Sequence, residues 1–227
     1  MALAGIELSL DTVSMLLALV AMETVLSADN AVVLAALAQP IHDSHQRQQV
    51  LNWGLVIAFA LRVGLLFTAT WVVHFWQVEL LGAGYLLWLG GKHFWPQLMG
   101  DIPGSEPTPD PSGNSLMRVI GLIALTDLAF SLDSVTTAIA LSDQLWLVIT
   151  GCAIGVITLR FLAGLFVRCL EEYVYLQDAA YLAVLGVGLQ LLCKVIHPAM
   201  VPPQSAVLGV IAALFAWGFS KRVEMEG

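Results

Sequence analysis

Charged residues are scarce in this chain. Lys, Arg, Asp and Glu make up 11% of its 227 residues, whereas 59% are hydrophobic. A soluble domain carries about a quarter charged residues. The nine basic residues are scattered singly apart from the pair Lys221-Arg222, so the sequence offers no basic patch for nucleic acid. Long apolar runs of this kind predict an integral membrane protein rather than a soluble domain with a large core.

Cysteine is also rare, and basic residues are missing where a secretion signal would need them. Cys152, Cys169 and Cys193 are odd in number and show no CxxC spacing, so we expect no disulfide framework. The N-terminus, MALAGIELSLD, lacks the basic region of a signal peptide, and the apolar run that follows is too long for one. We therefore expect that run to be retained as a membrane span.

Seven apolar stretches are long enough to cross a bilayer, which takes roughly 20 residues. They run over residues 10–38, 49–73, 78–98, 116–141, 144–168, 178–197 and 204–222. The predicted fold is thus all-α, a polytopic membrane protein with seven transmembrane helices. The first stretch is longer than a crossing needs, so we expect a break or a strong tilt within it.

A polar segment divides the chain. Residues 100–115, GDIPGSEPTPDPSGNS, contain four of the nine prolines among Gly, Ser and acids, which predicts a water-exposed linker. The expected organisation is a first three-helix repeat over 1–99, a cytoplasmic linker over 100–115, a second repeat over 116–200, and a seventh helix with a short cytoplasmic tail over 201–227.

The two halves resemble each other in sequence. ETVLSADNAVVLAALA, from Glu23, aligns with DLAFSLDSVTTAIALS, from Asp127. The alignment places Glu23 on Asp127, Ser27 on Ser131, Asp29 on Asp133, Asn30 on Ser134, Arg62 on Arg160 and Lys92 on Lys194. A three-span unit used twice enters the membrane from opposite faces, so we predict an inverted repeat. Such repeats are typical of secondary transporters that bind substrate near the bilayer midplane.

Basic residues near the span ends indicate the orientation, because Lys and Arg accumulate on the cytoplasmic side. An outside N-terminus leaves only Lys194 near the far side and puts six basic residues in the cytoplasm: Arg47, Lys92, Arg118, Arg168, Lys221 and Arg222. We predict this orientation, with a cytoplasmic C-terminus, in a plasma (inner) membrane or a thylakoid membrane.

Four acids fall well inside the predicted spans: Glu23, Asp29, Asp127 and Asp133. A carboxylate at the bilayer centre costs roughly 2.5–3.5 kcal/mol on insertion scales, so these groups need partners. Ser27, Ser131, Asn30 and Ser134 accompany them, and no Cys or His does. Carboxylate, amide and hydroxyl oxygens suit a hard divalent cation such as Mn2+, Ca2+ or Mg2+. We expect no organic cofactor.

Helical spacing puts a constraint on this site. At about 100° per residue, Asp127, Ser131 and Ser134 form one stripe, while Asp133 lies about 120° away from Asp127. Glu23, Ser27, Asn30 and Asp29 repeat that pattern. Either the helices unwind near Ser27–Asn30 and Ser131–Ser134, or the displaced aspartates serve another partner. We predict a local break, as at other transporter midplanes.

Two arginines offer another way to neutralise the acids, because buried charges usually pair. Arg62 and Arg160 lie inside the second and fifth spans. We expect them to act as counter-ions or helix anchors rather than to bind the substrate directly. Two arginines against four acids leave two negative charges, which one divalent cation or two protons would balance.

The two acidic motifs, ETVLSADNAVVLAALA and TDLAFSLDSVTTAIALS, resemble the paired signatures of the TerC family of bacterial and plastid membrane proteins. The resemblance extends from Asp11 to about Arg222. It implies a relation to lysine-exporter-like transporters, and Mn2+ as the first candidate ion. Its matching site positions are Glu23, Asp29, Asn30, Asp127, Asp133 and Ser134.

The leading hypothesis is therefore a secondary transporter that exports a hard divalent cation, with Mn2+ as the first candidate and protons as the candidate exchanged ion. The alternatives are a calcium/proton exchanger and a TerC-family factor for membrane-protein assembly or metal loading. An enzyme is not expected. Intramembrane aspartyl proteases also use two aspartates, but they carry one in a GxGD-type sequence, whereas the contexts here are SADN and SLDS. The expected partners are the cation and the lipid bilayer, and the sequence leaves the oligomeric state open.

Overall fold

The computed structural model describes residues 14, 16–17, 20–21, 30–72, 75–99, 113–141, 144–197 and 201–222. We number as α1 the helical residues 30–38, which are followed by α2 (Ser44–Val72), α3 (Trp76–Met99), α4 (Gly113–Leu141), α5 (Leu145–Glu172), α6 (Leu176–Ile196) and α7 (Gln204–Gly218). Within the described ranges no strand occurs, and one isolated bridge joins Tyr173 to Arg222. The predicted all-α class is confirmed.

Length and composition suit these helices to a membrane. Among the described residues, three stretches are long and apolar enough to cross one: Ser44–Thr68, Leu145–Glu172 and Leu176–Ile196. A shorter apolar helix covers Ala206–Gly218. Helices α2 to α7 each coincide with a predicted span to within a few residues at most ends. The total of seven spans stays a prediction, because most of the first one lies outside the described residues.

Local chemistry explains where several helices begin. Asp43 caps α2, since its Oδ1 accepts a hydrogen bond from the backbone N–H of His45 at 2.9 Å. Pro203 directly precedes α7, where proline fixes the backbone without removing a needed hydrogen bond. Helix α6 has Asp178 in its first turn and Lys194 in its last, which matches the helix dipole.

The centre of the molecule is built around α1 and α4. Every residue from 30 to 38 is buried, so this part of α1 is enclosed on all sides. Helices α2 and α4 run parallel beside each other, with Gly54 next to Ile123 and Arg62 next to Asp127 and Ser131. A Cβ placed on Gly54 would lie 2.6 Å from Cγ2 of Ile123, so the two backbones approach closely there. This contact holds the centres of α2 and α4 together.

The other main contacts are antiparallel. Leu66 of α2 clusters with Leu147 and Val148, at the start of α5, while Asn52 contacts Arg160 farther along. Helices α3 and α6 are joined at both ends. Glu79 forms an ion pair with Lys194, with 3.2 Å between Oε1 and Nζ, and His93 forms a hydrogen bond with Asp178, with 2.8 Å between Nε2 and Oδ1.

These two antiparallel pairs, α2 with α5 and α3 with α6, are the counterparts that the predicted repeat aligns. An inverted repeat requires each counterpart pair to run in opposite directions. The third pair, α1 with α4, depends on residues before 30 that lie outside the described ranges. The inverted repeat therefore stays a prediction, and so does the division of the chain into repeats and linker.

Several basic residues that we expect in the cytoplasm lie at one end of the bundle. Nη1 of Arg47 lies 2.6 Å from Oε1 of Glu171, which connects the start of α2 with the end of α5. At the same end, Nε of Arg222 donates to the Tyr173 hydroxyl at 3.0 Å. The chain after α7 is thus attached to the loop between α5 and α6. Which side of the membrane this end faces stays a prediction.

Candidate functional site

A buried pair of opposite charges marks the candidate site. Arg62 lies in the middle of α2 and Asp127 in the middle of α4, and their side chains are 1% and 0% exposed. The parallel packing of α2 on α4 brings them together. Charges buried this fully need compensation inside the protein. Arg62 therefore lies where the expected counter-ion of Asp127 should lie. That Asp127 belongs to a binding site stays a prediction.

The contacts within this pair are unequal. Nε of Arg62 donates to the Ser131 hydroxyl at 2.8 Å, whereas Nη2 lies 3.4 Å from Oδ2 of Asp127. The Ser131 hydroxyl in turn donates to the backbone carbonyl of Asp127 at 2.5 Å. Of these two contacts of the guanidinium, the shorter one goes to a neutral hydroxyl. Its contact with the carboxylate is longer than the 2.7–2.9 Å or so of a strong charge-assisted bond.

One oxygen of the buried carboxylate is left over. Oδ1 of Asp127 is inaccessible to solvent and has no hydrogen-bond partner among the described residues. Buried polar atoms are nearly always satisfied, and an exception in a charged group requires an explanation. A carboxylate oxygen in this state has its lone pairs available for a ligand, and a hard cation is the ligand that carboxylates accept.

A second polar contact lies next to Asp127. Thr126 is fully buried, and its hydroxyl forms a hydrogen bond of 2.8 Å with the Tyr85 hydroxyl of α3. The Tyr85 hydroxyl also lies 3.4 Å from the carbonyl oxygen of Leu122. Neither residue was predicted from the sequence. The only signal was the polar Thr126 directly before the acid in TDLAF, and nothing in the sequence pointed to Tyr85.

The prediction of a break in α4 is wrong. Residues Gly113–Leu141 form one α-helix that continues through Ser131 and Ser134. The reason is that both serines bond to their own helix: Ser131 to the carbonyl of Asp127, and Ser134 to the carbonyl of Ser131 at 3.2 Å. With Arg62 compensating Asp127 from α2, the helix does not need to open. The corresponding break at Ser27–Asn30 falls mostly on residues outside the described ranges.

The predicted stripe on α4 is present. Asp127, Ser131 and Ser134 are all buried, as residues one and two helical turns apart on the inner face should be. Asn30, at the start of the described part of α1, is buried as well. Glu23 and Asp29 lie outside the described residues, and so does the side chain of Asp133, whose backbone belongs to α4.

The predicted grouping of the four acids therefore remains untested. Among the side chains that the structure describes, no group of three or more His, Cys, Asp or Glu is arranged to hold a metal ion. Three of the four predicted acids are not among those side chains. Mn2+ as the transported ion stays a prediction, and so do Ca2+ and Mg2+ in its place.

Arg160 differs from its predicted counterpart Arg62. Its Nε forms a hydrogen bond with Oδ1 of Asn52, which ties α5 to α2 near the surface of the bundle. Within the described part of the chain, Arg160 forms no ion pair with an acid. The expected role of helix anchor fits Arg160, whereas the role of counter-ion fits Arg62.

Comparison with known proteins gives a consistent result. The model of the family described as "Integral membrane protein TerC family" matches residues 8–225. The chain is 32% identical over 206 residues to the uncharacterized membrane protein YceF of Bacillus subtilis (strain 168), covering 87% of this chain and 77% of that protein. It is 32% identical over 192 residues to YkoY of the same organism, covering 78% of this chain and 58% of that protein. It is 27% identical over 188 residues to the UPF0053 inner membrane protein YgdQ of Escherichia coli (strain K12), covering 76% and 77%. No solved structure matches the chain.

Proposed function

The chain belongs to the TerC family of integral membrane proteins, and on that premise we propose that it is a secondary transporter that exports a hard divalent cation. Mn2+ is the first candidate, with Ca2+ or Mg2+ as alternatives. The observation that carries the proposal is Asp127, a fully buried carboxylate with one oxygen unsatisfied among the described residues. Burying an ionisable group inside a membrane protein costs free energy, and such groups usually belong to a substrate or ion pathway.

The proposed binding site combines the described residues with the remaining predicted ones. Asp127, Asn30 and Ser134 would provide carboxylate, amide and hydroxyl oxygens, and Glu23, Asp29 and Asp133 would add further carboxylates. Oxygen ligands alone favour Mn2+, Ca2+ or Mg2+ over zinc or copper, which recruit thiolate or imidazole. The antiparallel packing of α2 with α5 and of α3 with α6 supports an inverted repeat around such a site.

The proposed cycle uses alternating access. A cation would leave the cytoplasm, exchange its water for the acidic site, and be released on the far side. Protons would then bind the same carboxylates, neutralise them for the return step, and be released to the cytoplasm, which leaves the carboxylates charged for the next cation. The antiparallel helix pairs would form the contacts across which the two halves move, since transporters of this class move one repeat against the other around a fixed site.

The test is export of Mn2+ from cells. We would express the wild-type chain, Asp127→Asn, Asp29→Asn and Asp133→Asn in a bacterial strain that lacks its own manganese exporters. After a toxic manganese load, total cell manganese is measured by mass spectrometry. Wild type should lower it, and the amide variants should not, because an amide cannot supply the negative charge.

Glu171→Gln is the matched control. Glu171 is also an acid in an ion pair with an arginine, Arg47, but it lies exposed at the end of the bundle. This variant should export Mn2+ like wild type. The wild-type chain and all variants must be present in the membrane in equal amounts for this comparison. If expression of the wild-type chain left total cell manganese unchanged, this result would contradict the proposal. A cellular phenotype that survives all the acid-to-amide changes would favour an assembly factor instead.

A further inference from the structure

Arg62 lies against Asp127, the buried acid of the proposed site. Its guanidinium is 1% exposed and lies between Asp127 and Ser131 of α4. An arginine is always charged, so this position of the molecule carries a permanent positive charge. In the cation-free protein that charge compensates the carboxylate of Asp127.

The geometry of the contact leaves the carboxylate accessible to a second cation. Arginine and a carboxylate often pair through two parallel hydrogen bonds that use both oxygens. Among the described contacts, Nη2 approaches Oδ2 at 3.4 Å, and Nε donates to Ser131. Oδ1 has no hydrogen-bond partner among the described residues. Arg62 thus neutralises Asp127 mainly by its charge and does not saturate the lone pairs of its oxygens.

A divalent cation on Asp127 would face Arg62 at close range. Two positive charges beside one carboxylate repel each other strongly where water is excluded. The ion and the guanidinium therefore compete for the same negative charge. One of them has to withdraw for the other to approach.

On the premise of the proposed function, we infer that Arg62 is a tethered counter-ion that competes with the transported cation for Asp127. When the cation binds, the guanidinium is displaced from the carboxylate. When Arg62 returns, the affinity for the cation falls and the cation is released. This is a positioning role, because Arg62 acts on the cation through Asp127.

The second intramembrane arginine is built differently. Arg160 bonds to the neutral Asn52 near the surface, and no described acid forms an ion pair with it. In the part of the chain that the structure describes, only the arginine of the first half, Arg62, is thus placed as a counter-ion to a buried acid. Arg160 is therefore a matched control: it is the counterpart of Arg62 in the predicted repeat, and we do not expect it to compete with the cation.

The experiment is a Mn2+ titration of the purified full chain in detergent, in which electron paramagnetic resonance reports the free ion. Arg62→Gln should bind Mn2+ more tightly than wild type, by on the order of tenfold, which lies within the range typical of coupled binding equilibria. Arg62→Lys keeps the charge and should stay near wild type. Arg160→Gln should also bind like wild type. In the cellular assay, Arg62→Gln should export more slowly, because release is hindered.

The direction of the change distinguishes competition from a structural role. An arginine that only supports the fold would weaken Mn2+ binding when removed, or leave it unchanged. Either result for Arg62→Gln, in protein that elutes as a single folded species, overturns the inference while wild-type binding and export stand. Wild type that shows no saturable Mn2+ binding overturns the proposed function itself.

A second variant covers the case in which Arg62→Gln does not fold. Ser131→Ala removes the acceptor of the Nε hydrogen bond and keeps both charges in place. It loosens the hold on Arg62, so Mn2+ should bind more tightly than to wild type, by less than in Arg62→Gln. Unchanged or weaker binding in Ser131→Ala would overturn the inference equally.

Discussion

The close approach of α2 and α4 at Gly54 should be essential for the stability of the protein. A Cβ at this position would lie 2.6 Å from Cγ2 and 2.9 Å from Cβ of Ile123. Carbon atoms in contact prefer about 3.5–4.0 Å. Because the Cβ of Ile123 is attached to the backbone, no side-chain rotation relieves the second clash. In Gly54→Ala the two helices must therefore separate by about 1 Å.

The magnitude follows from two opposing effects. Overpacking a closely packed contact costs about 1–3 kcal/mol, whereas replacing glycine by alanine inside a helix gains about 1 kcal/mol. Gly64→Ala is the matched control on the same helix, because a Cβ there meets nothing within 4 Å. Both variants share the helix gain, so the difference between them isolates the overpacking cost of about 1–3 kcal/mol.

The assay is thermal unfolding of the two variants in the same detergent. At about 2–4 °C per kcal/mol for a chain of this size, Gly54→Ala should unfold about 2–12 °C below Gly64→Ala. Gly54 lies two turns before Arg62 on α2, so the separation should also disturb the contact with Asp127 and reduce export. Equal unfolding temperatures for the two variants would show that α2 and α4 do not approach as described.

Two further predictions test other parts of the molecule. The ion pair of Glu79 with Lys194 should stabilise the contact of α3 with α6 by up to about 1 kcal/mol. A double-mutant cycle of Glu79→Gln with Lys194→Met, measured by thermal unfolding, should show that coupling energy. Strictly additive effects of the two substitutions would contradict it. The topology can be tested by labelling single cysteines with a membrane-impermeant maleimide in intact cells, in a chain without its native cysteines. Ser44→Cys and Glu171→Cys should both be protected. The contact of Arg47 with Glu171 puts these positions at one end of the bundle, and we predict that this end is cytoplasmic. Gln77→Cys, at the start of α3, should be labelled, and labelling of Ser44→Cys without Glu171→Cys would contradict the fold.

The helices were largely predictable because the bilayer selects for length and apolarity. The predicted span 49–73 became α2 (Ser44–Val72), and 178–197 became α6 (Leu176–Ile196). The predicted end of the last helix was less accurate, since α7 ends at Gly218 rather than near residue 222. Helix ends depend on local capping and on contacts such as that of Arg222 with Tyr173, which composition does not reveal.

The glycines show the limit of sequence patterns. Gly90 and Gly91 are neighbours in α3 and look equivalent in the sequence. A Cβ on Gly90 would lie 2.5 Å from Cγ of Leu185, whereas one on Gly91 would meet nothing within 4 Å. Only the rotation of α3 against α6 decides which of them lies in the contact.

By itself, the sequence determined that this is an all-helical integral membrane protein of the TerC family, and that Asp127, Ser131 and Ser134 share one face of a helix. Apolar length, helical periodicity and the paired acidic motifs are local properties, so they can be read along the chain. Tertiary structure decided that Arg62 reaches Asp127, that Arg160 pairs with Asn52 instead, and that α4 stays intact through its serines. These outcomes depend on which helices lie side by side, because a buried charge is compensated by whatever group the packing brings to it.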